Sequence, residues 1–314
     1  MTPGFSRRDV LRYGATAAGV GAIGALSGCS AIESLLGGGS NPGYAGWLPA
    51  PDEIGDDDHY RFNSVNTAEL RDAESESDDR SFDYLTDPSR INSNFYITGV
   101  APEDIDEWIR PGPMYADSGG SIPTVVFGDF AKSDVTDTID DKIDESDADV
   151  SEESVGGYTL YSAESGGSDI AVTEGTVILG PEDGSSESVE TVIGTDNGEV
   201  DRYAEMNEDM DALVDALGQG TLVIGETMNE IEETDIEAEQ FRGQVAVGAA
   251  IEINGASADV ETVVVFDSED DIDMDAIGNS TESDAFEDYN DVSSSRSGRT
   301  VTITGTTDTE NFFR

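Results

Sequence analysis

The chain of 314 residues contains one cysteine and one histidine, so few of its side chains could act as nucleophiles or bind transition metals. The cysteine, Cys29, follows Leu26-Ser27-Gly28, whose two small residues would let a peptidase reach the backbone just before the thiol. The thiol could then carry a lipid. That modification would consume the only cysteine, so no disulfide would support the fold outside the cell and the hydrophobic core would have to do so alone.

An arginine pair, Arg7-Arg8, precedes an apolar run that extends from Tyr13 to Leu26. The run is well short of the roughly 20 residues that a membrane-spanning helix needs. This order is typical of a twin-arginine export signal, which a receptor reads as an address and which is not part of the fold. Residues 6–29 resemble the corresponding part of bacterial-type and archaeal lipoproteins. The resemblance implies a signal peptide at residues 1–28 and lipid attachment at Cys29, on the outer face of the cell membrane.

Several common catalytic and cofactor-binding motifs are missing from the sequence. A copper or zinc centre needs converging His and Cys ligands, but only His59 accompanies Cys29. His59 would also be the sole base for a Ser-His-Asp hydrolase, and the sequence has no Gly-x-Ser-x-Gly elbow. Neither Lys132 nor Lys142 follows a phosphate-binding glycine loop. Residues 19–24 match the dinucleotide-binding fingerprint, but they lie inside the signal with no strand before them. We therefore predict no catalytic residue, no cofactor and no metal.

Acidic side chains dominate the composition, with 69 Asp and Glu against 15 Lys and Arg and a net charge of −54. Cleavage before Cys29 would remove three arginines and one aspartate, which changes the net charge from −54 to −56. This acidic excess, with only two lysines, resembles the composition of haloarchaeal proteins. Such a surface suits molar salt, which shortens the Debye length to about 3 Å and screens the repulsion between carboxylates. Nucleic acid is excluded as a partner, since the chain has no basic groove.

Two acidic stretches, residues 56–58 and 267–271, could bind calcium through their carboxylates. Neither has the glycine and terminal glutamate of an EF-hand loop, so a hydrated acidic surface is the alternative that we favour. Carboxylate pairs of the glycosidase type occur here by chance at nearly any spacing and carry no weight. Asn279 begins the only Asn-x-Ser/Thr sequence, and we expect it to lie in a polar loop beyond a short helix, where it could be N-glycosylated.

The elements that must position these residues are mainly strands and short helices. A flexible tether is predicted at residues 29–43, rich in glycine and serine. Strands follow at residues 60–65 and 94–100, and Pro102 is predicted to begin a short helix that extends to Ile109.

Residues 122–226 are predicted to follow the order β-α-β-β-α-β with one added helix, which resembles a ferredoxin-like split βαβ unit. The predicted elements are strands at 124–127 and 158–161, a hairpin at 170–179, helices near 133–143, 185–193 and 209–217, and a strand at 221–224. Beyond them, Asn254-Gly255 predicts a hairpin between two long strands, a helical piece lies near residues 272–277, and a last hairpin turns at Gly298.

The sequence thus predicts an α+β fold with antiparallel or mixed sheets. We place a first α+β lobe at residues 44–228 and a β-rich second lobe at 229–314. Val125-Val126-Phe127 and Val264-Val265-Phe266 each precede a predicted acidic helix. This echo indicates two related lobes or one extended sheet, although strand-to-helix segments also arise without duplication.

Residues 44–314 resemble uncharacterised haloarchaeal lipoproteins with strands followed by Asp- or Ser-capped helices, and that resemblance implies no assigned activity. We interpret the chain as a non-enzymatic, lipid-anchored surface protein that binds or scaffolds a partner outside the membrane. The alternative is the substrate-binding lipoprotein of an ABC importer. Such proteins fit the anchor, the size and two lobes, but they usually alternate strands with long helices. An envelope hydrolase has no motif to support it.

Overall fold

The computed structural model describes residues 42–54, 60–76, 92–113, 123–146, 149–163, 168–181, 186–227, 241–281 and 286–312. These residues form an α+β fold dominated by antiparallel strand pairs, as the sequence predicted. The chain divides into two compact units. The first unit is Trp47–Met206, and the second is Asn207–Arg314 together with residues before Trp47. The predicted lobe boundary at residue 228 therefore falls within the second unit.

The first unit has seven described strands in the spatial order β1-β2-β3-β7-β6-β5-β4. They are β1 (Tyr60–Asn66), β2 (Ile105–Pro113), β3 (Thr124–Gly128), β4 (Val150–Val155), β5 (Tyr158–Ala163), β6 (Ile170–Thr173) and β7 (Thr176–Leu179). Two antiparallel meanders, β1–β3 and β4–β7, meet where β3 pairs with β7. The predicted hairpin between β6 and β7 is confirmed, and Gly175 takes a φ of 66° at its turn.

Five described helices accompany these strands: α1 (Pro51–Ile54), α2 (Thr67–Glu76), α3 (Lys132–Ser146), α4 (Ser186–Asp196) and α5 (Tyr203–Met206). Helix α3 connects the two meanders and buries Val135 and Ile139. Helix α2 begins where the Asn66 side chain accepts a hydrogen bond from the Glu69 N–H, at 3.0 Å. The Thr67 hydroxyl then donates to the Ile105 carbonyl at 2.8 Å, which fixes α2 beside β2.

The predicted strand at residues 94–100 is wrong, because Ser93–Ile97 forms a 3₁₀ helix. The Phe95 N–H donates to the Asn92 carbonyl at 3.1 Å, and the Thr98 N–H donates to the Phe95 carbonyl at 3.0 Å. These local bonds use the backbone groups that strand pairing would need. The aromatic side chains of this segment favour strands in general, but tertiary context overrides that preference here.

The predicted helix from Pro102 to Ile109 is also wrong. Only Pro102–Asp104 is helical, as one 3₁₀ turn, and β2 begins at Ile105. The register of β2 against β3 shifts between Ile105 and Glu107, which marks a β-bulge or irregularity. An extra residue in a strand breaks the two-residue alternation. The apolar residues of β2 consequently have a spacing that looks helical in the sequence.

The ferredoxin-like arrangement is not confirmed. A split βαβ unit places one strand between the two parallel strands that its helix connects. Here α3 connects β3 to β4, and three strands, β7, β6 and β5, lie between them. Strand β4, which the sequence did not predict, receives the chain from α3 and starts the second meander.

The second unit contains the helices α6 (Glu208–Leu217) and α7 (Met274–Ser280) and five described strands. The strands are β8 (Leu222–Thr227), β9 (Gln244–Asn254), β10 (Ser257–Phe266), β11 (Tyr289–Ser297) and β12 (Thr300–Asp308), in the spatial order β8-β9-β10-β12-β11. The hairpins predicted at Gly255 and Gly298 are confirmed, with φ angles of 64° and 58°.

Helix α6 lies on one face of the strands of the second unit. The Asn207 side chain caps its start by accepting from the N–H groups of Asp209 and Met210, at 3.0 and 2.8 Å. Gly248 of β9 permits the close approach, since a Cβ there would stand 2.6 Å from Leu217 Cδ1 and 2.7 Å from the Ile224 carbonyl oxygen. A second apolar cluster packs Ile277 of α7 with residues of the sheet, namely Val247, Val264, Phe266, Val301 and Ile303.

The two units share an order of elements. In each unit, three consecutive antiparallel strands are followed by a helix and then by further antiparallel strands. The last of these further strands pairs with the third strand of the unit: β7 pairs with β3 in the first unit, and β12 pairs with β10 in the second. The first unit has four strands after its helix, and the second has two in the described part of the chain. This shared order accommodates the sequence echo, while duplication itself stays a prediction.

Candidate functional site

The predicted signal and anchor residues, Arg7, Arg8 and Cys29, lie outside the described residues, as does His59. Almost all of the predicted tether at 29–43 and the acidic stretch at 56–58 lie outside them as well. Among the residues that the structure describes, no helix is long and apolar enough to cross a membrane. Export and lipid attachment thus stay predictions that rest on the sequence.

Asn279 is exposed, but it lies in the last turn of α7 and not in the expected loop. The Ser280 hydroxyl donates to the Ile277 carbonyl at 2.7 Å, and the Thr281 hydroxyl donates to the Gly278 carbonyl at 2.7 Å. The predicted loop position is therefore wrong, because the helix continues past Asn279 until the Thr281 N–H donates to the Ile277 carbonyl at 3.2 Å. Glycosylation of Asn279 stays a prediction.

The second calcium candidate, residues 267–271, forms a turn held by its own side chains and by an arginine. The Ser268 hydroxyl accepts a hydrogen bond from the Asp270 N–H at 3.2 Å, at the start of the 3₁₀ helix Glu269–Asp271. Glu269 pairs with Arg296 of β11, with 2.9 Å between the guanidinium nitrogen and the carboxylate oxygen. Within the described ranges, no group of three or more His, Cys, Asp or Glu residues could hold a metal ion.

A partly buried carboxylate lies in the first unit, where the Ser64 hydroxyl of β1 donates to Glu107 of β2 at 2.7 Å. Burial raises the pKa of Glu107, the hydrogen bond from Ser64 lowers it, and the nearby Glu69 and Asp106 carboxylates raise it. A serine that donates to a carboxylate without a histidine between them is not an activated nucleophile of the usual kind. The pair connects two neighbouring strands.

Two tyrosines of β5 lie beside carboxylates on the two faces of the sheet. The Tyr158 hydroxyl donates to Asp196, at the end of α4, at 2.8 Å. Tyr161 is directly opposite Glu152 of β4, and the Asp140 carboxylate of α3 lies close enough to raise the pKa of its phenol. Burial and these carboxylates raise the pKa of both phenol groups, so each stays protonated and able to donate.

These contacts define what we call the acidic edge: residues 151–154 of β4 together with Tyr161 and Asp140. The four β4 residues are all exposed, and β4 is the end strand of its sheet. The strand pairs with β5 residue for residue, without a bulge, from Val150 to Val155. Sequence reasoning missed β4 because Ser-Glu-Glu-Ser carries no apolar alternation. The available signal was Gly156-Gly157, a two-glycine turn ahead of the Tyr158 strand.

In the second unit, the described ion pairs hold a turn and a helix in place. Arg299, in the turn between β11 and β12, pairs with Asp209, and it also donates to the Glu208 carbonyl at 2.8 Å. Both partners lie in the first turn of α6. Arg299 therefore ties the hairpin to the helix and does not present its charge to a ligand.

No protein-family model and no curated protein matches this chain. Solved structures of TP0453 show a distant similarity. Crystal form III of TP0453 has a TM-score of 0.45 and 11% sequence identity, with 86% of this chain and 95% of that chain covered. Crystal form I has a TM-score of 0.43 and 12% identity, with 86% and 94% covered. We draw no functional conclusion from similarity at this distance.

Proposed function

We propose that this protein is exported by the twin-arginine route and anchored to the outer face of the cell membrane by a lipid on Cys29. There it would bind or scaffold a partner without catalysing a reaction. One observation carries the proposal: Arg7-Arg8, an apolar run and Ser27-Gly28-Cys29 precede a folded region whose first described helix begins at Gly43. A glycine-rich segment between Cys29 and Gly43 would space the two units from the lipid surface.

The hydrogen bonds of the buried and partly buried polar side chains favour a binding role over a catalytic one. Tyr158 and Asp196 join β5 to α4, Arg299 joins a hairpin turn to α6, and the Ser64–Glu107 pair joins two strands. A catalytic acid or base must reach a proton of the substrate. These groups instead reach other parts of the fold.

The importer interpretation has less support, because no described observation favours it. Antiparallel meanders dominate both units, and the longest described helix is α3. Importer-type lobes would be expected to alternate strands with long helices, the arrangement of a parallel sheet.

The test is membrane fractionation of the full chain expressed in a host with twin-arginine export and high internal salt. Cys29→Ser should move the protein from the membrane to the medium or leave an uncleaved precursor, since the thiol that would carry the lipid is lost. Ser27→Ala is the matched control, because it keeps a small residue beside the cleavage point and should stay in the membrane fraction.

Routing is tested separately with Arg7→Lys and Arg8→Lys in one variant, which should block export. Arg12→Lys changes an arginine outside the pair and should leave export unchanged. A Cys29→Ser variant that fractionates with the membrane as before would refute the lipid anchor, and normal secretion of the paired lysine variant would refute twin-arginine routing.

A further inference from the structure

The acidic edge has the geometry of a strand that can accept another strand. Val155, Gly156, Gly157 and Tyr158 form a two-residue hairpin turn, with φ angles of 55° and 93° at the glycines. In such a turn the Tyr158 N–H bonds the Val155 carbonyl, so Val155 and Tyr158 are a hydrogen-bonded pair. Hydrogen-bonded and non-hydrogen-bonded pairs alternate along an antiparallel ladder. Ser154 and Glu152, which are opposite Thr159 and Tyr161, therefore belong to non-hydrogen-bonded pairs.

Residues of non-hydrogen-bonded pairs direct their N–H and C=O groups away from the partner strand. Ser154 and Glu152 consequently direct theirs away from β5, to the side of β4 on which no described strand pairs with it. No bulge interrupts this row, and all four central residues of β4 are exposed. An open row of this kind is a template for pairing with another chain.

Strand β11, the end strand of the second unit, differs from β4 because its pairing is irregular. The register of β11 against β12 shifts between Asn290 and Ser293, and Asp291 takes a left-handed φ of 55°. A bulge twists an edge strand and disturbs its row of hydrogen-bonding groups, which is one way that proteins blunt an edge. Strand β4 has no such bulge, and neither lysine nor proline occurs in it.

The charge around β4 selects the kind of strand that could pair with it. Glu152 and Glu153 project to opposite faces of the sheet because successive strand residues alternate. On the face of Glu152, which is opposite Tyr161, the Asp140 and Asp137 carboxylates of α3 both lie close enough to raise the pKa of the Tyr161 phenol. Cross-strand pairs of opposite charge are favourable, whereas like charges directly opposite each other are unfavourable.

We propose that β4 is a docking strand that accepts an extended peptide segment with lysine or arginine on both of its faces, from a partner protein, by β-strand addition. The backbone of the peptide would bond to Glu152 and Ser154, and its basic side chains would lie opposite Glu152 and Glu153. This inference specifies the partner for the non-catalytic binding role proposed above. It does not depend on the lipid anchor, so a failed fractionation experiment leaves it standing.

The probe is a fluorescently labelled synthetic peptide of eight residues that repeats two lysines and two threonines, so that an extended strand carries lysine on both faces. A peptide that repeats two glutamates and two threonines is its acidic counterpart. Binding to the purified full chain is measured by fluorescence anisotropy in detergent, at the lowest salt concentration at which circular dichroism shows the chain to be folded, because salt screens exposed charge pairs. We expect the basic peptide to bind and the acidic peptide not to bind. Equal binding of both peptides, or binding of neither, would overturn the proposal, and β4 would then be an edge that its charges protect from pairing.

Ser154→Pro separates strand addition from simple attraction to an acidic surface. Proline removes the outward N–H of Ser154 but keeps every charge and every bond to β5. We expect the affinity for the basic peptide to fall by about tenfold or more, equivalent to about 1.4 kcal/mol. Ser154→Ala keeps the N–H and should bind like the original chain. Unchanged affinity in the proline variant would show that the peptide does not add to β4.

A charge-reversed variant covers the case in which the proline variant fails to fold. Replacing both Glu152→Lys and Glu153→Lys should transfer binding from the basic peptide to the acidic one. An unfolded chain would not acquire that new preference. A variant that is folded by circular dichroism but still prefers the basic peptide would contradict the proposal.

Discussion

Replacing Gly248 with alanine tests the packing of α6 on the sheet of the second unit. The added Cβ would stand 2.6 Å from Leu217 Cδ1, 2.7 Å from the Ile224 carbonyl oxygen and 3.2 Å from Leu213 Cδ1. Carbon atoms in favourable contact are about 3.5–4.0 Å apart. The leucine methyl groups could rotate away, but the Ile224 carbonyl belongs to β8, whose register with β9 holds it in place.

Two opposing effects decide the size of the change. Alanine reduces the freedom of the unfolded chain, which stabilises a protein by about 0.4–1 kcal/mol where the conformation is allowed. Overpacking a filled interior costs about 1–3 kcal/mol. Since two of the three contacts fall below 3.0 Å and one of them is to backbone, we expect Gly248→Ala to lower the free energy of unfolding by about 1–2 kcal/mol.

The assay is urea unfolding at constant high salt, followed by circular dichroism. Gly278→Ala is the matched control, because Gly278 lies within α7 and a Cβ there would meet nothing within 4 Å. That variant should gain about 0.5–1 kcal/mol, the usual advantage of alanine over glycine in a helix. A Gly248→Ala variant as stable as the original chain would refute the close approach of α6 to β9.

Two further predictions concern pH and salt. Burial raises the pKa of Glu107, so the stabilisation from its protonated form is complete below the ordinary value of 4.5 and is lost as pH rises through the folded-state pKa. The free energy of unfolding of Glu107→Gln should therefore depend less on pH than that of the original chain. Ser64→Ala removes the hydrogen bond that lowers this pKa, so its free energy of unfolding should depend on pH more. The same pH dependence in all three proteins would refute the contribution of Glu107 to stability. For salt, the thermal midpoint should rise between about 0.1 and 1 M as the Debye length falls from about 10 to about 3 Å, because screening relieves repulsion among the acids. A flat series would show that the acidic surface is not an adaptation to salt.

Strands with one strongly apolar pattern and a clear turn could be predicted from the sequence. The β9–β10 hairpin has long β-branched runs around Asn254-Gly255, and α6 has a capping Asn207 and a terminal Gly218. In these segments, local preference, periodicity and turn chemistry agree. The predictions confirmed by the structure come mainly from such segments.

The failures have separate physical causes. Strand β4 is exposed on both faces, so nothing forces its residues to alternate between apolar and polar. Strand β2 contains an irregularity that removes the alternation, and Pro102 with the following acids imitates a helix start. Because the acidic edge is built from β4, its geometry could not be predicted before the pairing of β4 with β5 was known.

The way in which this chain holds its carboxylates connects the fold with the composition. With 15 basic side chains for 69 acids, most acids cannot have a basic partner. Among the described contacts, Asp209 and Glu269 pair with arginines, whereas Glu107 and Asp196 are held by the hydroxyl groups of Ser64 and Tyr158. A hydroxyl carries no net charge, so these bonds lose less strength than exposed ion pairs when salt shortens the Debye length. Molar salt would then weaken the repulsion between surface acids while leaving the bonds that join strands to one another and to helices. Such a distribution of partners favours stability in concentrated salt, the condition in which we expect the protein to work.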